Sequence, residues 1–296
     1  MIKVKIQNGE HCTDIIFPCN EQLLSRTLYG IGMDGEQPAP ASMIAEIKPK
    51  ELSMLENTMV NLDELNYLAK RMDGWDNHEV EQFLAIVSCK DLGETWDMAR
   101  LINLTFSLPR YTLIKDTSNL ESVGSTHLLN IHLGIPSEDM KNKEWLINTG
   151  KELLESGKGI ESEYGLIFLN EDQPFEELYR GGAFPEYYYT QADIYVHVDY
   201  SEETELLALP DDDLAIKKAL ARLGAESLEQ CSVNTEIETD LDHDSLIRIS
   251  EMMVKNDLYA LNHFLRSQSL DQATTPVSSD DETLSGGSDY EFKWQQ

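Results

Sequence analysis

Basic residues are scarce in this sequence: 23 Lys and Arg stand against 54 Asp and Glu, a formal net charge of −31 with a pI near 4.4. That scarcity argues against a protein that holds DNA, RNA or anionic lipid itself, because phosphate is gripped by lysine and arginine. Long apolar runs are also missing. None approaches the roughly 20 residues that span a bilayer, and MIKVKIQNGEHC has no apolar stretch of the signal-peptide kind. Cysteine is sparse, and Cys12, Cys19, Cys89 and Cys231 form no CxxC pair. Reduced, mostly buried thiols and a cytoplasmic location are therefore expected. Catalytic signatures are absent too: there is no GxSxG, HExxH, Walker loop or dinucleotide glycine pattern. The seven histidines are scattered; His127 and His132, five apart, do not share a helix face as zinc ligands would. These absences predict a non-enzymatic protein with no cofactor, no metal and no membrane contact.

What is present is a globular composition under a heavy load of acid. Hydrophobic residues make up 41% of the chain, with 4 Trp, 12 Tyr and 8 Phe, so a packed core is expected and not a disordered acidic polymer. The charge is graded. Residues 1–115 hold 17 acids and 11 bases, residues 116–198 hold 15 and 5, and residues 199–296 hold 22 and 7. The last third is the most electronegative.

The two ends of the chain repeat one plan. KVKI, a polar turn, TDIIFP and the helix-like NEQLLSRTLYGIGM are matched 192 residues later by YVHV, a turn, ELLALP and DDDLAIKKALARLG. Val4 falls on Val196, Ile6 on Val198 and Pro18 on Pro210. Alternating runs across a short turn predict a β-hairpin, and Asn20 and Asp211 or Asp212 stand where helix N-caps belong. A third strand is expected in MIAEIKP and in SVNTEIET, with Glu46 on Glu236. A closing helix is expected in DELNYLAKRM and in NDLYALNHFL, with Leu65 on Leu258, Leu68 on Leu261 and Met72 on Leu265. His197 and His263 are expected to pack inside.

The resulting fold class is mixed α+β, an elongated multi-domain chain. Residues 1–115 are read as an α/β module plus the helices EVEQFLAIVSC and TWDMARLINLTFSL. Residues 116–191 are read as a mostly helical, tyrosine-rich middle in which GKGIESEYG is a loop and Tyr187, Tyr188 and Tyr189 serve a core or subunit contact. Residues 192–267 repeat the first module, and 268–296, rich in Ser, Thr, Asp and Gly, form an acidic tail expected to be disordered.

DLDHDSLIRISE, residues 240–251, has acids at places one, three, five and twelve, most of an EF-hand spacing. Ser245 stands where the loop needs glycine and Arg248 where it needs a ligand, so a strand-to-helix loop capped by Asp242 or Asp244 is the better reading. Glu236, Glu238, Asp240, Asp242 and Asp244 alternate with other residues. In an extended strand they would share one side at about 6.6 to 7 Å, close to the spacing of phosphates along one DNA strand. With Glu202, Glu203 and Glu205 at the hairpin and Asp211, Asp212 and Asp213 at the following helix, they are the candidate partner-binding carboxylates.

DELNYLAKRM, then LINLTFSL…YTLI, then …GGAF, then LALP…ALARLG stand in the order seen in ArdA-type antirestriction proteins. Over residues 1–266 the chain resembles the larger, mobile-element form of that family. The short acidic motif of some members has no clean counterpart here; ELLALPDDDL is similar in composition only. The resemblance implies a dimeric inhibitor that imitates duplex DNA and occupies the DNA channel of type I restriction-modification enzymes, serving evasion of host defence. A CRISPR effector or another defence nuclease is the alternative target, and an acidic regulatory adaptor or a weak calcium binder the reading from another class.

The charge fits such mimicry independently. Without the tail, with its six acids and one lysine, the body carries −26 and a dimer −52. At one charge per ~1.7 Å of duplex axis this matches roughly 90 Å of DNA, about 26 base pairs.

Overall fold

The structure, a computed structural model, describes residues 1–132, 134, 138–238 and 242–274. It is a mixed α+β protein, with three antiparallel sheets among the described residues.

The first sheet begins with a hairpin, β1 (Ile2–Asn8) and β2 (His11–Phe17). Ile2, Val4 and Ile6 are buried while Lys3 and Lys5 point outward, where they pair with Asp14 (3.0 Å) and Glu46. α1 (Glu21–Gly30) follows, capped by Asn20, whose side chain accepts from the Leu23 N–H. β3 (Ala41–Lys48) and β4 (Met59–Asn61) complete the order β2-β1-β3-β4. α2 (Leu62–Asp73) buries Leu62, Leu65, Leu68 and Met72 against them. α3 (Asn77–Ser88) opens on a capping box of Asp76 and Glu79, and α4 (Met98–Leu104) packs on α2.

The middle segment is less helical than its sequence suggests. α5 (Leu120–Ile131) and α6 (Lys143–Glu155) lie against each other so closely that glycine is required. A Cβ at Gly124 would stand 2.0 Å from the Leu146 carbonyl oxygen, and one at Gly150 2.1 Å from that of Leu120. However, β6 (Ile160–Ser162) lies inside the stretch read as a loop, and with β7 (Gly165–Leu169) it joins a sheet of order β5-β7-β6. Its partner β5 (Tyr111–Ile114) belongs to the segment read as the first module, and all four of its residues are buried. The tyrosine-rich stretch 170–193 holds neither helix nor strand, where EELYRGGAFPEYYYTQ was expected to be helical.

The second module runs β8 (Ile194–Tyr200), β9 (Glu203–Leu209), α7 (Asp213–Leu223), β10 (Ser232–Ile237), α8 (His243–Val254) and α9 (Leu258–Thr274), with sheet order β10-β8-β9. Its hairpin has the register of the first at a shift of 192: Ile2 pairs Phe17 and Val4 pairs Ile15, as Ile194 pairs Leu209 and Val196 pairs Leu207. The closing helices correct the alignment read from sequence. α2 starts at Leu62 and α9 at Leu258, so Leu65 matches Leu261 and not Leu258. A shared device fixes this register. The Asn66 side chain accepts from the Cys19 N–H and donates to its carbonyl, both at 2.9 Å, and Asn262 does the same to Asp211 at 2.9 Å each. Cys19 and Asp211 are themselves 192 apart. Residues 268–274, expected to open the disordered tail, instead continue α9, and the remainder of the tail lies outside the described residues.

Candidate acidic binding surface

Among the acids whose burial is described only Glu51, Asp63 and Glu205 are buried, and most of the others stand exposed, more of them in turns and loops than on helices or strands. The eleven candidate carboxylates divide by what holds them. Glu202 is exposed in the β8–β9 turn beside Ser201, which has φ of 60°. Glu203 is exposed and accepts from the Ala183 N–H at 3.1 Å. Glu205 is a correction. It shares the inward side of β9 with Leu207 and Leu209, is 2% exposed, and meets Arg222 through both oxygens (2.7 and 2.9 Å) and the Phe184 N–H (2.8 Å). It cannot touch a partner.

The aspartates at the start of α7 are mostly engaged with the fold. Asp211 is exposed, and its side chain accepts from the Asp212 N–H at 2.7 Å. Asp212 is the N-cap, accepting from the Leu214 N–H at 3.0 Å. Asp213 accepts from Asn262 (2.8 Å), lies 2.9 Å from His263 Nε2, and has Arg266 at 3.7 Å. Desolvation pushes its carboxyl up, but the Asn262 and His263 contacts outweigh this and leave it below the ordinary carboxylate range. His263 is correspondingly exposed, with 61% of its side-chain surface open, and not in the core as expected.

The four described members of the five alternating acids do not share one extended strand. β10 ends at Ile237, so of the four that are described only Glu236 lies in a strand, and α8 already begins at His243. Glu236 is exposed, accepts from the Tyr188 hydroxyl at 3.2 Å and stands 3.4 Å from His197 Nε2. Glu238 is exposed beyond the strand, and Asp240 lies outside the described residues. Asp242 caps α8, accepting from the Ser245 N–H and hydroxyl, both at 2.8 Å, which holds its carboxyl below the ordinary range. Asp244 sits exposed in the first helical turn. The extended reading fails because a capping aspartate followed by apolar residues at helical spacing starts a helix. The same cap turns Asp242 away from any EF-hand arrangement.

Sequence reasoning missed the group that joins the two modules. Lys218 of α7 is 1% exposed, and its Nζ lies 2.6 Å from both Glu21 of α1 and Asp63 of α2. The second Asp63 oxygen has no hydrogen-bond partner and faces Arg222 at 4.0 Å; burial pushes the Asp63 carboxyl up although Lys218 pulls against it. Arg222 in turn covers the ring of Phe184 (4.7 Å), which stacks on Tyr67 at 4.6 Å. The three tyrosines each bind a different neighbour: Tyr187 donates to the Lys70 carbonyl, Tyr188 to Glu236 and Tyr189 to Asp73. Segment 183–190 is thus a seam between modules, held by aromatic stacking and by the hydroxyls of its tyrosines, while Lys218 joins the modules directly. The available signal was the alternation 205, 207, 209, which puts a glutamate among inward leucines and demands a cation nearby.

Among the described residues no helix is long and apolar enough to cross a membrane. Comparison of the chain with protein-family models, with curated proteins and with solved structures finds no match.

Proposed function

We propose that the protein is a non-enzymatic DNA mimic that acts as a homodimer in the cytoplasm and competes with duplex DNA for the basic channel of a defence nuclease. A type I restriction-modification enzyme is the first target and a CRISPR effector the next. The observation that carries the reading is the charge: −31 on a folded α+β scaffold whose acids mostly face outward, from its strands and helices and from the turns that join them. A channel built to bind phosphate backbone reads charge and spacing, not base identity, so carboxylates on rigid elements can substitute for phosphates. Holding them on folded modules removes the ordering cost that a floppy acidic tail would incur on binding.

The candidate face is narrower than the sequence suggested. Glu202, Glu203, Glu236, Glu238 and Asp244 present carboxylates that are exposed and not committed to a helix cap or ion pair with a cationic side chain of fixed charge. Glu205 is withdrawn, and Asp212, Asp213 and Asp242 contribute charge from fixed positions.

The test is competition. Purified protein should displace a fluorescent duplex from a type I enzyme, with an affinity that falls steeply as salt rises. A ternary complex of enzyme, DNA and this protein would sink the proposal, as would inhibition unaffected by ionic strength.

A further inference from the structure

A second candidate site is lined by residues of α2, α3 and α5, which border a cavity of about 570 Å³. This is within the range of small-molecule pockets, roughly 300 to 1,000 Å³. Trp75, Phe106, Leu108 and Leu129 supply apolar walls, and Arg71 enters from α2. The Arg71 guanidinium lies over the rings of Phe106 (4.2 Å to the centroid) and Tyr187 (4.5 Å). Its Nε donates to the Thr105 hydroxyl at 3.2 Å and one Nη2 hydrogen to the Thr105 carbonyl at 3.3 Å. The remaining edge, with three of its five N–H groups, makes no ion pair or hydrogen bond among the described residues.

That is unusual in a chain with 54 acids and 23 bases. A half-buried cation is normally compensated, because desolvation without a counter-charge costs several kcal/mol. The two acids at the rim make no ion pair with it: Asp76 accepts from the His78 and Glu79 N–H groups, and Glu79 from the Asp76 N–H, at 2.7 to 2.9 Å, so that Glu79 acts on Arg71 only from a distance. Nor is Arg71 part of the repeated plan, since Ser267 holds the matching position in α9. A planar fork set against aromatic rings with one edge free is the arrangement that receives a carboxylate in two parallel hydrogen bonds.

We infer that this cavity binds a small flat aromatic carboxylate, its ring against Trp75 and Phe106 and its carboxylate on the free edge of Arg71. The inference is independent of DNA mimicry. The probe is naphthalene-2-carboxylate, with 2-naphthamide as the uncharged isostere, titrated by calorimetry and by the indole N–H shift of Trp75. The acid should bind at sub-millimolar concentration and the amide about tenfold more weakly. Arg71→Gln should erase that preference, and Thr126→Trp, which fills the cavity from α5 without touching Arg71, should abolish both. Equal binding of acid and amide, no binding at millimolar ligand, or an unchanged affinity in Thr126→Trp would each overturn the inference. If Arg71→Gln fails to fold, the acid–amide comparison on the parent and the Thr126→Trp result still decide it.

Discussion

The two modules share a hairpin register, a capped helix and an asparagine clamp, yet they treat the outward side of the hairpin differently. In the first, the outward side of β1 carries Lys3 and Lys5, each neutralised by a neighbouring acid in solvent. In the second, the equivalent Tyr195 is buried: it stacks edge-on to Tyr188 at 4.8 Å and donates to the Thr190 carbonyl at 2.7 Å. The seam 183–190 therefore covers one sheet and leaves the other bare. Residues 1–115 balance most of their charge locally, with a net of −6, whereas residues 199–296 carry −15. One plan can thus serve as a foundation in one copy and as a charged, docked element in the other. What differs is where the cations are placed.

The sharpest way to break this comparison is at one repeat position. Lys218 of the second copy corresponds, at the shift of 192, to Arg26 of the first, which is exposed. Lys218→Met should leave Glu21 and Asp63 uncompensated and cost about 3 to 5 kcal/mol in chemical denaturation. Arg26→Met should stay within about 0.5 kcal/mol. Adding Asp63→Leu to Lys218→Met should recover part of the loss, because it removes the stranded charge with the cation. Equal effects at the two positions would mean that the modules are not joined through Lys218.

The asparagine clamps should behave alike. Asn66 is 4% and Asn262 0% exposed, and each satisfies a backbone N–H and carbonyl. Alanine at either should cost about 2 to 3 kcal/mol, the penalty for two buried groups left unpaired. Asn262→Ala should be the more costly, because Asn262 also binds Asp213. A destabilisation at one site and none at the other would break the claim of a repeated device.

These clamps also mark the limit of what the sequence revealed. The hairpins were legible because strict alternation ties each residue to one face, so a one-residue error inverts the pattern. The closing helices were misaligned by three residues, 193 against 196. An apolar stripe at steps of three and four nearly superimposes on itself after such a shift. Only the asparagines break that degeneracy, and their partners Cys19 and Asp211 are distant in sequence. The middle sheet was missed for a related reason. Ile160–Ser162 is too short to show a period, and β5 pairs with β7 some fifty residues away. Of the candidate site, acid density was legible. The direction of each carboxylate was not, because helix caps and the Arg222 pair consume acids that composition counts as free.

A smaller effect belongs to the caps, which again occur as a matched pair. Asn20→Ala and Asp212→Ala should each cost about 1 kcal/mol in thermal or chemical unfolding. Beside Asp212, Asp213 adds a pH signature absent from the first module. Its carboxyl lies below the ordinary range in the folded state, so the stability it gives is present above the unfolded value near 3.9 and is lost as pH falls through the lower folded value. Asp213→Asn should flatten that acid limb of a stability–pH curve, and an unchanged limb would remove the role assigned to His263 and Asn262.

The smallest effect on stability should come with the largest contrast in binding. Glu202, Glu203, Glu236, Glu238 and Asp244 are exposed on the second module, and neutralising all five should move the unfolding midpoint very little, since exposed charges each contribute at most ~1 kcal/mol. Displacement of DNA from a nuclease channel should nevertheless weaken by orders of magnitude, because five small terms add and the slope against log salt falls with each carboxylate neutralised. On the first module, Asp14→Asn with Glu46→Gln is the matched control. Those acids already sit on Lys3 and Lys5, so removing them makes the local surface positive without taking away any free negative charge. Competition assays at two salt concentrations compare the two variants after correction for total charge. If the weakening per charge removed is the same for both, the protein acts through bulk acidity and the second module has no special face. If only the fivefold variant fails, the division of labour between the modules extends from their packing to their function.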